Sequence, residues 1–202
     1  MDDMQRKSEK DHFDFLSTVL CSQRFLLKMG IGNEVPFFIY PYHPKEQNII
    51  NGLVSSLEIQ LKKSGVVILP INLYDLSIEI IQKRGIWDRV LSSEPNVKKT
   101  DFNNLLRSVL DTEKHLVPAI AQKMQESPFD ILLLYGIGEV YPYIRSHTVL
   151  NNLQSTAKEK PTVLMFPGRY VHSMAKGASL ELFGRLQDDR YYRAFNLAHY
   201  LV

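Results

Sequence analysis

A chain of 202 residues is long enough for one domain with a sizeable core, and its 45% apolar and 23% charged composition excludes disorder along most of its length. With 24 Lys and Arg against 22 Asp and Glu, the net charge of +2 is too even to imply a nucleic-acid or membrane field. Cys21 is the single cysteine, which excludes an internal disulfide and a cysteine-based zinc site and fits a reducing compartment. It reads as a small buried hydrophobe rather than a nucleophile.

The first residues, Met1 to Lys7, are polar and lead into no apolar run of signal-peptide type. No stretch approaches the roughly 18 apolar residues of a membrane span. A cytoplasmic location is therefore expected. Phe13, Leu16, Val19, Leu20, Phe25, Leu26 and Met29 recur at helical spacing, with Gly30 and Gly32 as stops, which predicts one broken helix or two short ones.

A continuous apolar run over 35–40 predicts a first strand covered on both faces. Pro44 then lies near the first turn of an amphipathic helix carrying Ile49, Ile50, Leu53, Val54, Leu57 and Leu61 up to Gly65. The run 66–71 predicts a second strand, and Asp75 is placed to cap a helix ending near Gly85. Periodicity lapses between Leu91 and Lys99. Phe102, Leu105, Leu106, Val109 and Leu110 then predict a helix capped by Thr100 or Asp101, so that 86–112 reads as a helical insertion.

Pro118 lies near the start of a helix leading into Ile131-Leu132-Leu133-Leu134-Tyr135, the most apolar strand and the expected sheet centre. Pro142 is expected to open a helix with Ile144, Val149, Leu150 and Leu153, and 162–166 supplies a fourth strand before Pro167-Gly168. A short apolar helix is expected around Leu180 to Phe183. The alternation predicts an α/β, three-layer single domain over 1–202 with a mainly parallel sheet of about four to five strands. Within it, 1–33 form an N-terminal helical segment, 34–168 the sheet core and 169–202 a C-terminal segment.

Ligands of open α/β sheets bind beyond the carboxyl ends of the strands, so the loops after Tyr40, Ile71, Tyr135 and Phe166 are the places to search. The first holds Pro41 and Pro44 and no glycine, so the core resembles a P-loop NTPase whose phosphate loop is missing. His43 could be a general base but suits a structural role better, and Lys45 reads as a solvated residue of a first helical turn. Gly136-Ile137-Gly138-Glu139 begins like a dinucleotide fingerprint, but Tyr141 stands where the third glycine belongs.

Glu139 is the most site-like position, although no neighbouring loop offers a second carboxylate for magnesium or water activation, and pairing with Arg145 would make both structural. Tyr143, His147 and Asn151 recur every four residues as one polar stripe. His147, like His115 and His172, lacks a histidine at i+4, so no helix-borne metal pair is expected. Arg169, Lys176, Arg185, Arg190 and Arg193, interleaved with Tyr170, Tyr191 and Tyr192, are offset by Glu181, Asp188 and Asp189, which favours a mixed or protein-binding surface over nucleic acid. No catalytic residues, metal site or cofactor are read from these motifs, and no serine has a nucleophile-elbow setting.

The run DILLLYGIGEVYPYIRSH over 130–147, VLNNLQ over 149–154, FPG over 166–168 and YYRAFN over 191–196 closely resemble the BrxB family of bacterial BREX phage-exclusion systems. The resemblance extends from about Phe13 to Asn196. It implies an accessory component working beside a methyltransferase, a large ATPase and the alkaline-phosphatase-like PglZ, and it carries over no catalytic residue. Together these readings predict a non-catalytic adaptor that binds other BREX proteins, PglZ first. Its contact candidates are Gly136, Gly138, Glu139, Tyr141, Arg145, His147, Asn151, Arg169, Tyr191, Tyr192 and Arg193. The competing expectation is a nucleic-acid binder or divergent phosphate-processing enzyme built around Glu139.

Overall fold

A computed structural model describes residues 5–29, 36–173, 177–190 and 194–200, with the side chains of 172, 173, 177 and 187–190 outside the description. Among the described residues seven strands form one hydrogen-bonded sheet: β1 (Phe37–Tyr42), β2 (Ile68–Asn72), β3 (Ile131–Tyr135), β4 (Thr162–Ser173), β5 (Gly177–Leu182), β6 (Leu186–Arg190) and β7 (Phe195–Asn196). Five of them run parallel in the order β2-β3-β4-β1-β7. The middle strand is thus β4 rather than β3, which lies between β2 and β4.

Successive strand residues point to opposite faces, and both faces are covered, which is why these strands are continuous apolar runs. Ile39, Ile71, Leu132, Leu134 and Leu164 belong to one core, shared with α4 (Leu73–Lys83), α7 (Val117–Glu126) and α8 (Ser146–Leu153). Phe38, Tyr40, Ile131, Leu133 and Val163 belong to the other, shared with α1 (Glu9–Leu20), α2 (Gln23–Leu26) and α3 (Gln47–Lys63). Each fully buried leucine contributes about 1.5–3 kcal/mol relative to exposure, so the two cores make the three layers one cooperative unit.

Several local expectations shift. Asn72, not Asp75, caps α4, its side chain accepting from the N–H groups of Tyr74 (2.9 Å) and Asp75 (3.4 Å). α5 (Trp87–Ser93) fills part of the stretch without periodicity, and α6 (Lys99–Val109) starts after Lys98 with no side-chain cap from Thr100 or Asp101. Pro142 lies in a turn, because Arg145 adopts the extended dihedrals of an N-cap and α8 begins only at Ser146. Gly30, Gly32 and Val35 lie outside the described residues.

The largest departure follows Phe166. The chain does not turn at Pro167-Gly168: β4 continues and its second half pairs antiparallel with β5, Gly168 opposite Leu182 and Arg169 opposite Glu181. Gly168 permits this, since a Cβ there would lie 2.1 Å from the Glu181 carbonyl oxygen. The expected helix near Leu180 is therefore a strand, with Ala178, Leu180 and Leu182 buried in alternation with half-buried Ser179 and Glu181.

A buried polar cluster docks the N-terminal helix. His12, 1% exposed, lies with Nδ1 2.8 Å from the Tyr40 hydroxyl and Nε2 3.2 Å from a carboxylate oxygen of Glu46, itself 3% exposed. Glu46 also accepts from the backbone N–H groups of Lys7 (2.6 Å) and His43 (3.1 Å). Burial holds the His12 pKa below the ordinary imidazole value, outweighing the pull of Glu46 in the other direction. The neutral ring then donates from Nε2 to Glu46 and accepts from the Tyr40 O–H at Nδ1.

Because the folded-state pKa of His12 is depressed, the unfolded chain takes up the proton first as pH falls. This contribution to stability is complete above about pH 6.5 and is lost as pH falls from there toward the folded-state value. Urea midpoints measured between about pH 7 and 5.5 are expected to fall in the parent chain and to stay flatter in His12→Gln, whose amide keeps a donor for Glu46. Equal slopes would place the titration on another group.

Candidate functional site

The carboxyl ends of β1, β2 and β3 meet the midpoint of β4 along one edge of the parallel sheet. The turn after β3 is dictated by space. Gly136 has φ +77°, and a Cβ there would lie 2.5 Å from Asn72 Oδ1 and 2.9 Å from Glu139 Oε2. At Gly138 a Cβ would lie 2.8 Å from Pro167 Cγ and 3.1 Å from Phe183 Cε1, so this glycine brings the turn against β4 and the β5–β6 hairpin. The two glycines serve backbone approach between strands, and Tyr141 packs its ring edge-on to Phe183 at 6.3 Å.

Glu139 is held by an oriented chain of side chains. The Tyr42 hydroxyl donates to Gln47 Oε1 (2.6 Å), Gln47 Nε2 to Asn51 Oδ1 (2.8 Å) and Asn51 Nδ2 to Glu139 Oε1 (3.1 Å). Burial drives the Tyr42 phenol far above its ordinary value, and the Glu139 charge pushes it further the same way. The chain therefore keeps its proton on Tyr42, its donors run toward the carboxylate, and it ties α3 to the glycine turn.

The expected Glu139–Arg145 pair does not form. Arg145, the extended residue before α8, instead lines a 310 Å³ cleft with Arg107, Asp111, Glu113, Thr148 and Asn152. The expected polar stripe also divides: Tyr143 precedes α8 and its hydroxyl donates to the Glu139 carbonyl (3.4 Å), His147 is half-buried beside Thr148 Oγ1 (3.0 Å), and exposed Asn151 accepts from Gln154 (3.3 Å). Arg169 lies within β4 rather than in a loop. Tyr191, Tyr192, Arg193 and Lys176 lie outside the described residues. Among the described residues no group of three His, Cys, Asp or Glu could hold a metal ion.

Beside the glycine turn a cleft of 490 Å³ opens between the turn after β1 and the β5–β6 hairpin, lined by His43, Pro44, Lys45, Arg169, Phe183, Gly184 and Arg185. His43 was expected to be structural, and its Nδ1 accepts from the Lys45 N–H at 3.1 Å as the cap of a 3₁₀ turn over Pro44–Glu46. Sequence reasoning missed His12, Tyr40 and Glu46, which hold this turn from beneath. Sequence separation hides them, because His12 lies 34 residues from Glu46 and 28 from Tyr40. A second groove, 520 Å³ and mainly apolar, runs between α6 and the turn before α8, lined by Phe102, Leu106, Pro142 and Tyr143 with Glu94, Lys99, Thr100 and Asn103.

Comparison with known proteins matches residues 69–197 to the family model "BREX protein BrxB", well over half of the chain. The chain belongs to the BrxB family. It is 35% identical over 199 residues to the BREX protein BrxB of Bacillus cereus (strain H3081.97), covering 96% of this chain and 98% of that one. Against the BREX protein BrxB of Escherichia coli O9:H4 (strain HS) identity is 28% over 174 residues, 86% of this chain and 84% of the other. No solved structure matches. Family membership makes this chain a component of a BREX system and supports involvement in anti-phage defence. Among the described residues no helix is long and apolar enough to cross a membrane.

The glycine geometry yields a paired test. Gly136→Ala is expected to lower stability by about 1–3 kcal/mol through its left-handed backbone and the overlap with Asn72 and Glu139. Gly52→Ala, in mid-α3 with open space around it, is expected to raise stability by up to about 1 kcal/mol. Chemical denaturation of both variants checks the contrast, and equal effects would remove the special role of the 136 turn.

Proposed function

We propose that this BrxB-family chain is a non-catalytic adaptor of a BREX anti-phage system, acting in the cytoplasm by binding other BREX proteins, with the alkaline-phosphatase-like PglZ as first partner. The observation that carries the reading is the apolar groove between α6 and the turn before α8. Phe102, Leu106, Pro142 and Tyr143 form a concave, mainly apolar strip with a polar rim, the composition of a protein-docking core. Leu91 and Val97, in the chain segment leading into α6, are further exposed apolar residues.

The alternative, an enzyme or nucleic-acid binder working through Glu139, is less well supported. Asn51 already occupies one oxygen of that carboxylate, and Arg145, the cation expected beside it, faces another cleft. A metal-dependent activity abolished by Glu139→Gln would reverse this preference.

Pairwise pull-downs between this chain and each other product of its own operon test the adaptor. Association is expected with at least one, PglZ first, and Phe102→Asp is expected to weaken it about tenfold or more while circular dichroism stays native. Failure to associate with every operon product would overturn the reading.

A further inference from the structure

The basic cleft beside the glycine turn is not used by the adaptor reading. Three cations from separate segments converge on it: Lys45 from the turn after β1, Arg169 from β4 and Arg185 from the β5–β6 connection. None of the three has an ion-pair partner among the described residues. Glu181 lies opposite Arg169 across the strand pair without forming such a bridge, which leaves the cleft a net positive lining. A volume of 490 Å³ falls in the range of small-molecule sites.

Phe183 adds the second observation. It takes φ +57°, a left-handed conformation that a bulky side chain rarely adopts, followed by Gly184 at +66°. Its amide donates to the Pro167 carbonyl (2.8 Å), and the N–H groups of Gly184 and Arg185 donate back to Glu181 (3.0 Å) and Leu182 (3.1 Å). The surroundings thus hold an aromatic residue where asparagine or glycine would sit without strain, and the ring is left 37% exposed in the lining of a cationic cleft. Strain retained at such a position suits a ring that meets a ligand.

We propose that this cleft binds a small phosphate-bearing molecule with a flat ring, of nucleotide type, its phosphates among Lys45, Arg169 and Arg185 and its ring against Phe183. Side-chain cations here take the place of the backbone amides that a phosphate loop would supply. The bounded cleft, rather than an extended basic groove, favours a mononucleotide over a nucleic-acid strand.

Binding of a fluorescent ADP analogue to the full chain, with competition by unlabelled ADP and by pyrophosphate, tests this directly. Saturable binding is expected, displaced by both competitors, and weakened about tenfold or more in the Lys45→Ala/Arg185→Ala double variant, whose altered side chains are exposed. Phe183→Asn, which tolerates the left-handed backbone, is expected to stay folded and to weaken ADP competition while leaving pyrophosphate competition unchanged. No saturable binding at millimolar analogue overturns the proposal, as does binding indifferent to the double variant. A single-stranded oligonucleotide that competes far better than ADP, with steep salt dependence, would also overturn it and make the cleft a nucleic-acid surface. These outcomes are independent of the operon pull-downs, so either reading can fail alone.

Discussion

The carboxylate of Glu46 is the constraint on which the edge of the sheet depends. Buried to 3% exposure, it must be compensated, and its oxygens accept from the backbone of Lys7, the backbone of His43 and the ring of His12. Those three donors come from the N-terminal segment, the turn after β1 and α1. One group therefore fixes α1 on the sheet and gives the 43–46 turn the shape that presents Lys45 to the cleft. Removing the carboxylate would leave three donors without a partner, whereas removing any one donor leaves two, so the cluster depends most on Glu46.

Above that turn the strand ends are brought together by close backbone approach rather than by charge. Gly136 admits Asn72 and Glu139, Gly138 admits Pro167 and Phe183, and Gly168 admits the β5 backbone. Apart from that of Gly136 with Glu139 in its own turn, these contacts join segments that are distant in sequence, and β4 participates in two of them. Its first half is the middle of the parallel sheet and its second half is one arm of an antiparallel extension. The cleft exists because a single strand changes partners at Gly168.

Much of this was legible in the sequence where a local signal sufficed. Ile131 to Tyr135 is a strand because five successive apolar and aromatic residues between two covered faces admit little else, and α3 follows its three- and four-residue apolar spacing closely. The failures share one cause: information held by distant residues. Pro167-Gly168 has the composition of a turn, and only the Glu181 carbonyl pressed against Gly168 shows why it is extended. Leu180 and Leu182 form a two-residue alternation too short to be told from a helix face. Among the candidate site residues, Gly136, Gly138 and Glu139 lie in the one turn that follows β3. Arg145 does not join them and lines the cleft with Arg107 instead. The cluster of His12, Tyr40 and Glu46 left no mark at all, since each alone is an ordinary residue.

The two surfaces argued to bind ligands share one short segment. Tyr141 packs against Phe183 in the basic cleft, while Pro142 and Tyr143 line the apolar groove against α6. Tyr143 also donates to the Glu139 carbonyl, so the segment is anchored to the glycine turn between the two. Contiguity alone is not coupling, because coupling requires an element with two arrangements that both ligands bias differently. What contiguity does dictate is where the surfaces can be separated. A change at Tyr141, Pro142 or Tyr143 falls in the segment between them, whereas Phe102 lines only the groove and Lys45 and Arg185 only the basic cleft. Those outer residues can tell an adaptor that also binds a nucleotide from one that does not.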